Sequence, residues 1–440
     1  MQTADPQRFF ETDAAQELRE RRSAKSANKY GSPVVLKSKV LAVLADPTSA
    51  AHVFVAESAG SARRVNVLDE NDNDPKTTVY RGPTAPVTSL ALGGPGGKTL
   101  FAGSWDKTVW SFDRDTYQAG QRYGVAGGPG GGGHTDFVKA VVCGRLGEQD
   151  VLISGGADKK IIVWDVASGK RLHTLQDSGP AAKSDRQSML AVQDLAIDPV
   201  ATTRDEIWLV SASSDPHIRR WRVRLDGWEQ VTEEEGDSKD KATGKAKKTL
   251  LAHETTVYKV VFEDYNYSGG DDEGEDVDLW TSSGDGTVKC LSRLHGFQHK
   301  NTVGSSNTYH HGGHVRAVAV TEAWVVTAGR DEDLQYWDRT GMAAESAANA
   351  RYASISGHFD EVTDLVVLSD RRRLCSVSLD GTVRIWPLAK FEVDALVEVQ
   401  KKEKATAAAG IVDDHTTKDA QDGLITADEE AELAALMEDD

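Results

Sequence analysis

The sequence lacks the features that mark several classes of protein. Its three cysteines, Cys143, Cys290 and Cys375, lie far apart and form no CxxC pair, so neither a disulfide framework nor a zinc site is indicated. No stretch of 18 apolar residues occurs, and the polar start MQTADPQRFFETD does not have the pattern of a signal peptide. We therefore expect reduced core thiols in a cytoplasmic or nuclear protein without a membrane partner.

Positive charge is also scarce. The chain has 51 basic and 69 acidic residues, a formal net charge of −18. Residues 264–278 hold seven acids and no base, and residues 411–440 hold eleven acids and one lysine, so these two segments carry nearly all of the excess. Nucleic-acid binding needs a basic surface, and we expect no direct nucleic-acid contact. Segregated acids favour a basic protein partner.

Motifs of cofactor binding and catalysis are missing as well. The glycine-rich segment 124–134 lacks the GK[ST] ending of a phosphate-binding loop, which predicts a connector. The acids of 264–278 do not follow the calcium-loop pattern. We expect no cofactor, no bound metal and no enzyme activity.

The chain does contain a repeat, in which an Asp follows a Ser or Thr by four residues and precedes a Trp by six, with a His upstream. Three segments have all four residues: His134, Ser154, Asp158 and Trp164; His311, Thr327, Asp331 and Trp337; His358, Ser376, Asp380 and Trp386. Three segments are incomplete: Ser211, Asp215 and Trp221 with Ser188 at the histidine position; His253, Thr281 and Asp285 with Leu291 at the tryptophan position; Asp106 with Pro83, Ala102 and Phe112. Short apolar runs and tight turns around these residues predict antiparallel strands.

This repeat resembles the WD40 family, with Gly-His at 133–134 and 357–358 and Trp-Asp at 164–165 and 337–338. The resemblance covers residues 33–389 and implies an all-β, seven-bladed β-propeller of four-stranded blades. In that family the four repeated residues form a hydrogen-bonded chain within a blade, which accounts for a buried indole and a buried carboxylate. A His-Ser-Asp catalytic set is the alternative, but recurrence in several blades indicates architecture.

We predict three segments: a flexible polar arm at 1–32, the propeller at 33–390, and a short helix with an acidic, largely disordered tail at 391–440. The arm is either a solvated tail or docks on the propeller or on a partner. Residues 33–37 are predicted to supply the outer strand of the last blade, since a propeller must close to remove its sheet edges. The 225–248 insertion is predicted to join the third and fourth strands of blade 4. Segment 264–278 would join the first two strands of blade 5, so both would leave the ring on the face opposite Trp105.

The resemblance also indicates a binding face. In WD40-like blades the residue before the turn Asp faces the narrow surface of the ring, and Trp105 and Arg330 at such positions are of types enriched at binding hot spots. The candidate binding residues on this face are Trp105, Phe137, His314, Arg330, Phe359 and Leu379. The acidic candidates are Asp271, Asp272, Glu273, Glu275 and Asp276.

By analogy of fold, we expect a non-catalytic scaffold or chaperone-like subunit, monomeric within a multiprotein complex. It would bind other proteins, in particular a basic protein or assembly, as in ribosome biogenesis or a nuclear complex. The alternative is a substrate receptor of a cullin-type ubiquitin ligase. In that class a WDxR motif ends a blade, and here Arg224 is in place but Arg222 replaces the Asp.

Overall fold

The computed structural model describes residues 13–68, 79–128, 130–177, 189–231, 249–263, 277–293, 296–297, 308–339 and 351–419. Within these ranges the strands form seven separate antiparallel sheets. The first strand of each sheet contacts the first strand of the next, and the last sheet contacts the first. The sheets are therefore the blades of a closed, seven-bladed β-propeller, which confirms the predicted fold class.

The described elements begin with helix α1, Asp13–Ser26, and strand β1, Val34–Val35. Blade 1 contains β2 (Val40–Ala45), β3 (His52–Glu57), β4 (Ser61–Asn66) and β5 (Val79–Arg81). Blade 2 contains β6 (Val87–Gly93), β7 (Thr99–Ser104), β8 (Val109–Asp113) and β9 (Ala119–Tyr123), with a 3-10 turn at Pro95–Gly97. Blade 3 contains β10 (Val138–Leu146), β11 (Gln149–Gly156), β12 (Ile161–Asp165) and β13 (Arg171–Leu175).

Blade 4 contains β14 (Val192–Ile197), β15 (Glu206–Ser213), β16 (His217–Arg224), β17 (Trp228–Gln230) and β18 (Leu250–Leu251). Blade 5 contains β19 (Val257–Phe262), β20 (Leu279–Ser283), β21 (Thr287–Leu291) and β22 (Thr308–His310). Blade 6 contains β23 (Val315–Val320), β24 (Trp324–Gly329), β25 (Leu334–Asp338) and β26 (Arg351–Ile355). Blade 7 contains β27 (Val362–Val367), β28 (Arg373–Ser378) and β29 (Thr382–Pro387).

The second strands of the blades are largely buried because neighbouring blades cover both of their faces. All six residues of β24 are buried. Between blades 3 and 4, Ile153 and Val163 share one core cluster with Ile207 and Trp221. Each such side chain contributes about 1.5–3 kcal/mol when fully buried, so the stability of the ring lies mainly between its blades.

The start of the chain joins the end of the ring. Strand β1 pairs with β29, with Val34 opposite Val383. The N–H of Ile385 donates to the carbonyl of Gly31 (2.8 Å). Gly31 has a φ of +71°, and a Cβ there would lie 3.0 Å from the Trp386 ring. Glycine suits this position because it adopts a positive φ readily and has no Cβ to meet the ring. Blade 7 thus consists of three strands from the end of the propeller and one from its beginning.

The prediction for the blade 4 insertion is wrong. Strand β16 turns directly into β17, and Arg224 N–H donates to the Gly227 carbonyl (2.8 Å) across this turn. Strand β18 pairs with the other half of β16. The third strand is therefore joined to the fourth by the short turn at residues 225–227, and the outer strand is in two parts, β17 and β18. Residues 232–248 lie outside the described ranges. The eight residues of β16 are long enough to pair with two short segments, and Asp226-Gly227 is a turn signal.

Helix α2, Lys390–Asp419, belongs to a second compact unit, residues 389–440. It is longer than the short helix expected from the apolar stripe of residues 391–404. Its continuation begins with four alanines among residues 405–409, and alanine favours helix without an apolar face. The predicted acidic tail from residue 420 lies outside the described ranges.

Candidate protein-binding face

The residues of the complete repeats lie in hydrogen-bonded chains inside their blades. In blade 3, Trp164 Nε1 donates to Ser154 Oγ (2.9 Å), Ser154 Oγ lies 2.9 Å from His134 Nε2, and His134 Nδ1 lies 2.9 Å from Asp158 Oδ1. One assignment of the hydrogen atoms gives every polar group in the chain a partner. In it, the Ser154 hydroxyl donates to His134 Nε2, and His134 Nδ1–H donates to the Asp158 carboxylate. Burial works against ionisation of Asp158, but the His134 hydrogen bond and charge outweigh it, and the pKa of that carboxyl is lowered.

Blades 6 and 7 repeat this arrangement. Trp337 Nε1 donates to Thr327 Oγ1 (2.9 Å), and His311 lies 2.8 Å from that hydroxyl and 2.9 Å from Asp331. In blade 7 the corresponding distances are 2.7 Å for Trp386–Ser376, 2.6 Å for Ser376–His358 and 2.9 Å for His358–Asp380. The histidine, hydroxyl and indole groups of all three sets are buried. They are therefore placed to hold strands together and not to meet a substrate.

The incomplete repeats keep the carboxylate and replace one or more of the other three residues. In blade 5, His253 contacts both Asp285 (2.9 Å) and Thr281 (2.8 Å), while buried Leu291 stands at the tryptophan position. In blade 2, Trp110 Nε1 donates directly to Asp106 Oδ2 (2.9 Å). The indole is thus supplied two residues earlier than the Phe112 position of the repeat.

Blade 4 contains a partner that the spacing did not identify. The N–H of Leu190 donates to Asp215 (3.1 Å), as Thr135 N–H donates to Asp158 in blade 3. Met189, not Ser188, therefore occupies the histidine position, so the prediction for Ser188, which lies outside the described residues, is off by one residue. The fully buried Arg219 contacts Asp215 (3.1 Å) and Asp177 (3.1 Å) instead.

The residues that precede the turn Asp lie around one end of the ring, and each is held by a backbone hydrogen bond within its own blade. Trp105, Ala157, Ser214, Gly284, Arg330 and Leu379 each donate their N–H to a carbonyl of the loop that enters a first strand, over 2.8–3.1 Å. The acceptors include Phe137 for Ala157 and His314 for Arg330. The N–H of Phe359 donates to Asp380 (3.1 Å) at the same end of blade 7. The acidic candidates of 271–276 lie outside the described residues.

Trp105 and Phe137 form an exposed aromatic pair on this face. Their rings stack with centroids 4.8 Å apart and planes 14° apart. Each side chain remains 38% exposed, and Leu190 on the next blade is 37% exposed. Trp105 therefore packs against a neighbouring loop and still presents apolar surface. Exposed aromatic residues of this kind are frequent anchors in protein interfaces.

A central channel of about 620 Å³ opens beside this pair and is lined by the first strands of the blades. Near Trp105 its wall includes Lys139, Tyr258 and Arg316. Arg316 lies over the Tyr258 ring at 4.5 Å, and burial, together with the Arg316 charge, lowers the pKa of Lys139. These three residues were not among the predicted binding residues. Each follows by two positions the loop residue whose carbonyl accepts the backbone hydrogen bond of its blade: Phe137, Thr256 or His314. Their positions could therefore have been predicted from the repeat.

Deeper in the channel, a lysine joins two carboxylates across the ring. Lys259 Nζ lies 3.1 Å from Asp364 Oδ1 and 3.9 Å from Asp194 Oδ2. Burial alone would lower the pKa of Lys259, but the two carboxylates outweigh it and raise that pKa. Burial raises the pKa of Asp194. These ion pairs link the first strands of blades 4, 5 and 7 and therefore stabilise the ring.

One group of potential metal ligands occurs among the described residues. The ligand atoms of Glu263, Asp278 and Cys290 lie within 4.8 Å of one another. Trp280 Nε1 and Arg339 Nη2 already contact Glu263 at 2.6 and 2.7 Å. Burial raises the pKa of the Cys290 thiol, whereas metal ligation needs the thiolate. We assign no metal to this group.

Comparison with known proteins agrees with this geometry. The family model described as the tRNA methyltransferase TRM82 WD40 domain matches residues 132–236, and the WD domain, G-beta repeat, matches residues 74–113 and 350–387. An uncharacterized WD repeat-containing protein of Schizosaccharomyces pombe is 28% identical, with all of both chains aligned. The nuclear distribution protein nudF of Aspergillus niger is 22% identical over 77% of this chain and 58% of its own.

A shorter similarity involves the small ribosomal subunit protein RACK1 of Dictyostelium discoideum, 31% identical over 18% of this chain and 25% of its own. The chain thus contains segments that match WD repeats, and it folds as a seven-bladed β-propeller. Such propellers are generally non-catalytic scaffolds for protein–protein interaction. No helix among the described residues has the length and apolarity needed to cross a bilayer.

Proposed function

We propose that the chain is a non-catalytic subunit of a multiprotein complex and binds a basic protein partner through the ring face that carries Trp105 and Phe137. The exposed aromatic pair is the observation that carries this proposal. It lies on the rigid end of two blades, so little conformational entropy is lost when a partner covers it. The preference for a basic partner rests on the net charge of −18 and on its concentration in two segments.

The similarity to the TRM82 WD40 domain supports a second candidate, in which the partner is an RNA-modifying methyltransferase. The matched residues 132–236 include Phe137 and Leu190 of the exposed ring face. In this case the partner would carry the catalytic site and contact the RNA, and the propeller would hold the enzyme. This agrees with the expectation that the chain itself makes no nucleic-acid contact.

The contacts of Arg222 and Arg224 do not support the alternative hypothesis, a receptor of a cullin-type ubiquitin ligase. Arg222 Nε lies 2.6 Å from Glu206, and Arg224 lies 3.3 Å from Glu229. Both arginines of the imperfect motif therefore have partners within their own blade. The ribosome-assembly and nuclear contexts likewise rest on the acidic segments and stay predictions.

Affinity purification of the full-length chain from cells, followed by mass spectrometry, tests the proposal. We expect a basic protein in stoichiometric amount, and an RNA methyltransferase if the second candidate is right. The double variant Trp105→Ala/Phe137→Ala should lower its recovery at least about 30-fold, since truncating one interface hot spot costs about 2 kcal/mol or more. Leu225→Ala is the matched control, because Leu225 is 46% exposed at the opposite end of blade 4. Equal recovery with the double variant would exclude this face.

A further inference from the structure

A basic helix of the chain itself lies on carboxylates at the binding end of blades 6 and 7. Arg21 Nη2 lies 2.9 Å and Lys25 Nζ 3.1 Å from Glu332 Oε2. Arg22 Nη2 lies 2.8 Å from Asp360 Oδ1. Lys25 Nζ is also 3.0 Å from Asp333 Oδ1. We call Glu332, Asp333 and Asp360 the acidic site.

The acidic site holds cationic side chains. The side chain of Glu332 is 2% exposed, and among the described residues the side-chain partners of its carboxylate come from α1. With α1 in place the carboxylate is covered, and its charge is matched by these partners. Three cations at positions i, i+1 and i+4 of a helix satisfy it here. The contacts of α1 therefore define the spacing of positive charges along a helix that this site accepts.

The attachment of α1 differs from that of the segment that follows it. Asn28 Nδ2 donates to the Gly357 carbonyl (2.8 Å), Arg384 Nη1 donates to Asn28 Oδ1 (2.8 Å), and β1 completes blade 7. These contacts hold residues 28–35 as part of the ring. The cations of α1 remain partly in solvent, with Arg21 56% and Arg22 37% exposed. Exposed ion pairs are weak and are screened by salt, so α1 can leave while residues 28–35 stay in place.

We propose that the acidic site is a docking site for a basic helical segment of the protein partner, and that α1 occupies it until that segment displaces it. This inference rests on the proposed function, in which the partner is basic. Charge complementarity identifies the occupant: the site binds a helix with cations at i, i+1 and i+4. Because α1 is tethered, it competes at a high effective concentration and lowers the apparent affinity for the partner segment.

Binding of a synthetic peptide with the sequence of residues 13–30 to the full-length protein tests the proposal. In the variant Arg21→Ala/Arg22→Ala/Lys25→Ala, the tethered helix no longer fills the site. We expect this variant to bind the peptide at least about tenfold more tightly than the wild type, because tethered competitors reach roughly millimolar effective concentration. The affinity should fall as salt is raised. Adding Glu332→Gln and Asp360→Asn to the same variant should abolish binding.

Two controls make the result specific. Glu254→Gln removes an exposed carboxylate from the corresponding loop of blade 5 and should leave peptide binding unchanged. A peptide in which the three cations are replaced by alanine should not bind. If Glu332→Gln lowers the melting temperature, the surface pair Asp333→Asn/Asp360→Asn provides the test in a folded protein.

The proposal is overturned if the wild type and the triple variant bind the peptide equally, if neither binds it, or if binding survives loss of the site carboxylates. None of these results depends on Trp105 or Phe137. Failure of the acidic site can therefore be told apart from failure of the proposed function, which would appear as unchanged partner recovery by the Trp105/Phe137 variant.

Discussion

Arg219 Nη1 lies 3.1 Å from Asp215 Oδ1 inside blade 4, where four other blades place a histidine nitrogen 2.9 Å from the turn carboxylate. Burial works against the charge of Asp215, but Arg219 outweighs it and lowers the pKa of that carboxyl. The same guanidinium contacts Asp177, which precedes the Met189 loop. Blade 4 thus replaces a histidine with a permanent cation that joins two loops.

Removing this cation should destabilise the propeller. Arg219→Leu would leave Asp215 and Asp177 without their shared partner, and breaking a buried pair on one side costs about 3–5 kcal/mol. The free energy of unfolding in urea measures the change. Arg222→Leu in the same strand is the control and should have a much smaller effect, because its carboxylate partners are more exposed. Equal effects of the two substitutions would show that Arg219 has no special role.

The tryptophan of a complete repeat offers a second test of stability. Trp164 is 1% exposed and donates to Ser154. Trp164→Ala should cost about 3–5 kcal/mol through the cavity and the lost hydrogen bond, whereas Trp105→Ala on the exposed face should change stability little. Thermal melts of the two purified variants make the comparison. A Trp164→Ala shift as small as that of Trp105→Ala would contradict the role of the hydrogen-bonded chain.

The sequence was sufficient to predict the fold class because the repeat is local. A Ser, an Asp and a Trp at fixed spacing belong to two neighbouring strands and one turn, so a single blade can be recognised without knowledge of the others. The close resemblance between blades then implies a ring. For the same reason, the channel positions of Lys139, Tyr258 and Arg316 could have been predicted from their places in the repeat, although they were not.

Contacts between distant parts of the chain could not be predicted in this way. Arg22 and Asp360 are 338 residues apart, and no periodic pattern relates them. The histidine position of blade 4 was misplaced by one residue because the repeat does not fix the length of the loop after Asp177. The division of its outer strand into β17 and β18 depends on the length of β16, which follows from packing between blades and not from turn signals alone.

Acid should destabilise the protein in two stages. Burial lowers the pKa of His358 below its ordinary value of 6.5, so the folded state resists a proton that the unfolded chain accepts below that pH. Asp380 has a lowered pKa, because the His358 hydrogen bond and other contacts outweigh the effect of burial. Its contribution is present above the unfolded pKa of about 3.9 and is lost as pH falls through the folded value.

Melting temperatures between pH 7.5 and 4.5 test the first stage. The wild type should lose stability as pH falls below 6.5, and His358→Gln, which has no ring to protonate, should show a shallower slope over the same range. His310→Gln, which removes an exposed histidine from blade 5, is the matched control. An identical slope in wild type and His358→Gln would assign the acid sensitivity to other groups.

The acidic segment of blade 5 remains a candidate for steering the partner. Residues 264–276 follow β19 and precede β20, so their flanking strand ends lie at the end of the blade opposite the Gly284 turn. Replacing Asp271, Asp272, Glu273, Glu275 and Asp276 by their amides should slow association with the basic partner recovered by the wild type. Long-range attraction acts on the association rate and is screened within about 10 Å at 0.1 M salt. The difference should therefore be large at low salt and shrink as salt increases.

The blade 4 insertion provides a matched control for this experiment. Its residues 232–248 contain five acids, Glu233, Glu234, Glu235, Asp237 and Asp240, together with five lysines. Replacing these acids by amides removes the same charge from a segment whose acids are offset by lysines, so it should slow association less. Rates measured at two ionic strengths separate the possibilities. If the blade 5 variant associates as fast as wild type at low salt, the acidic segment has no part in recognition. The attraction of a basic partner would then be left to the acids of residues 411–440 and to the carboxylates of the ring.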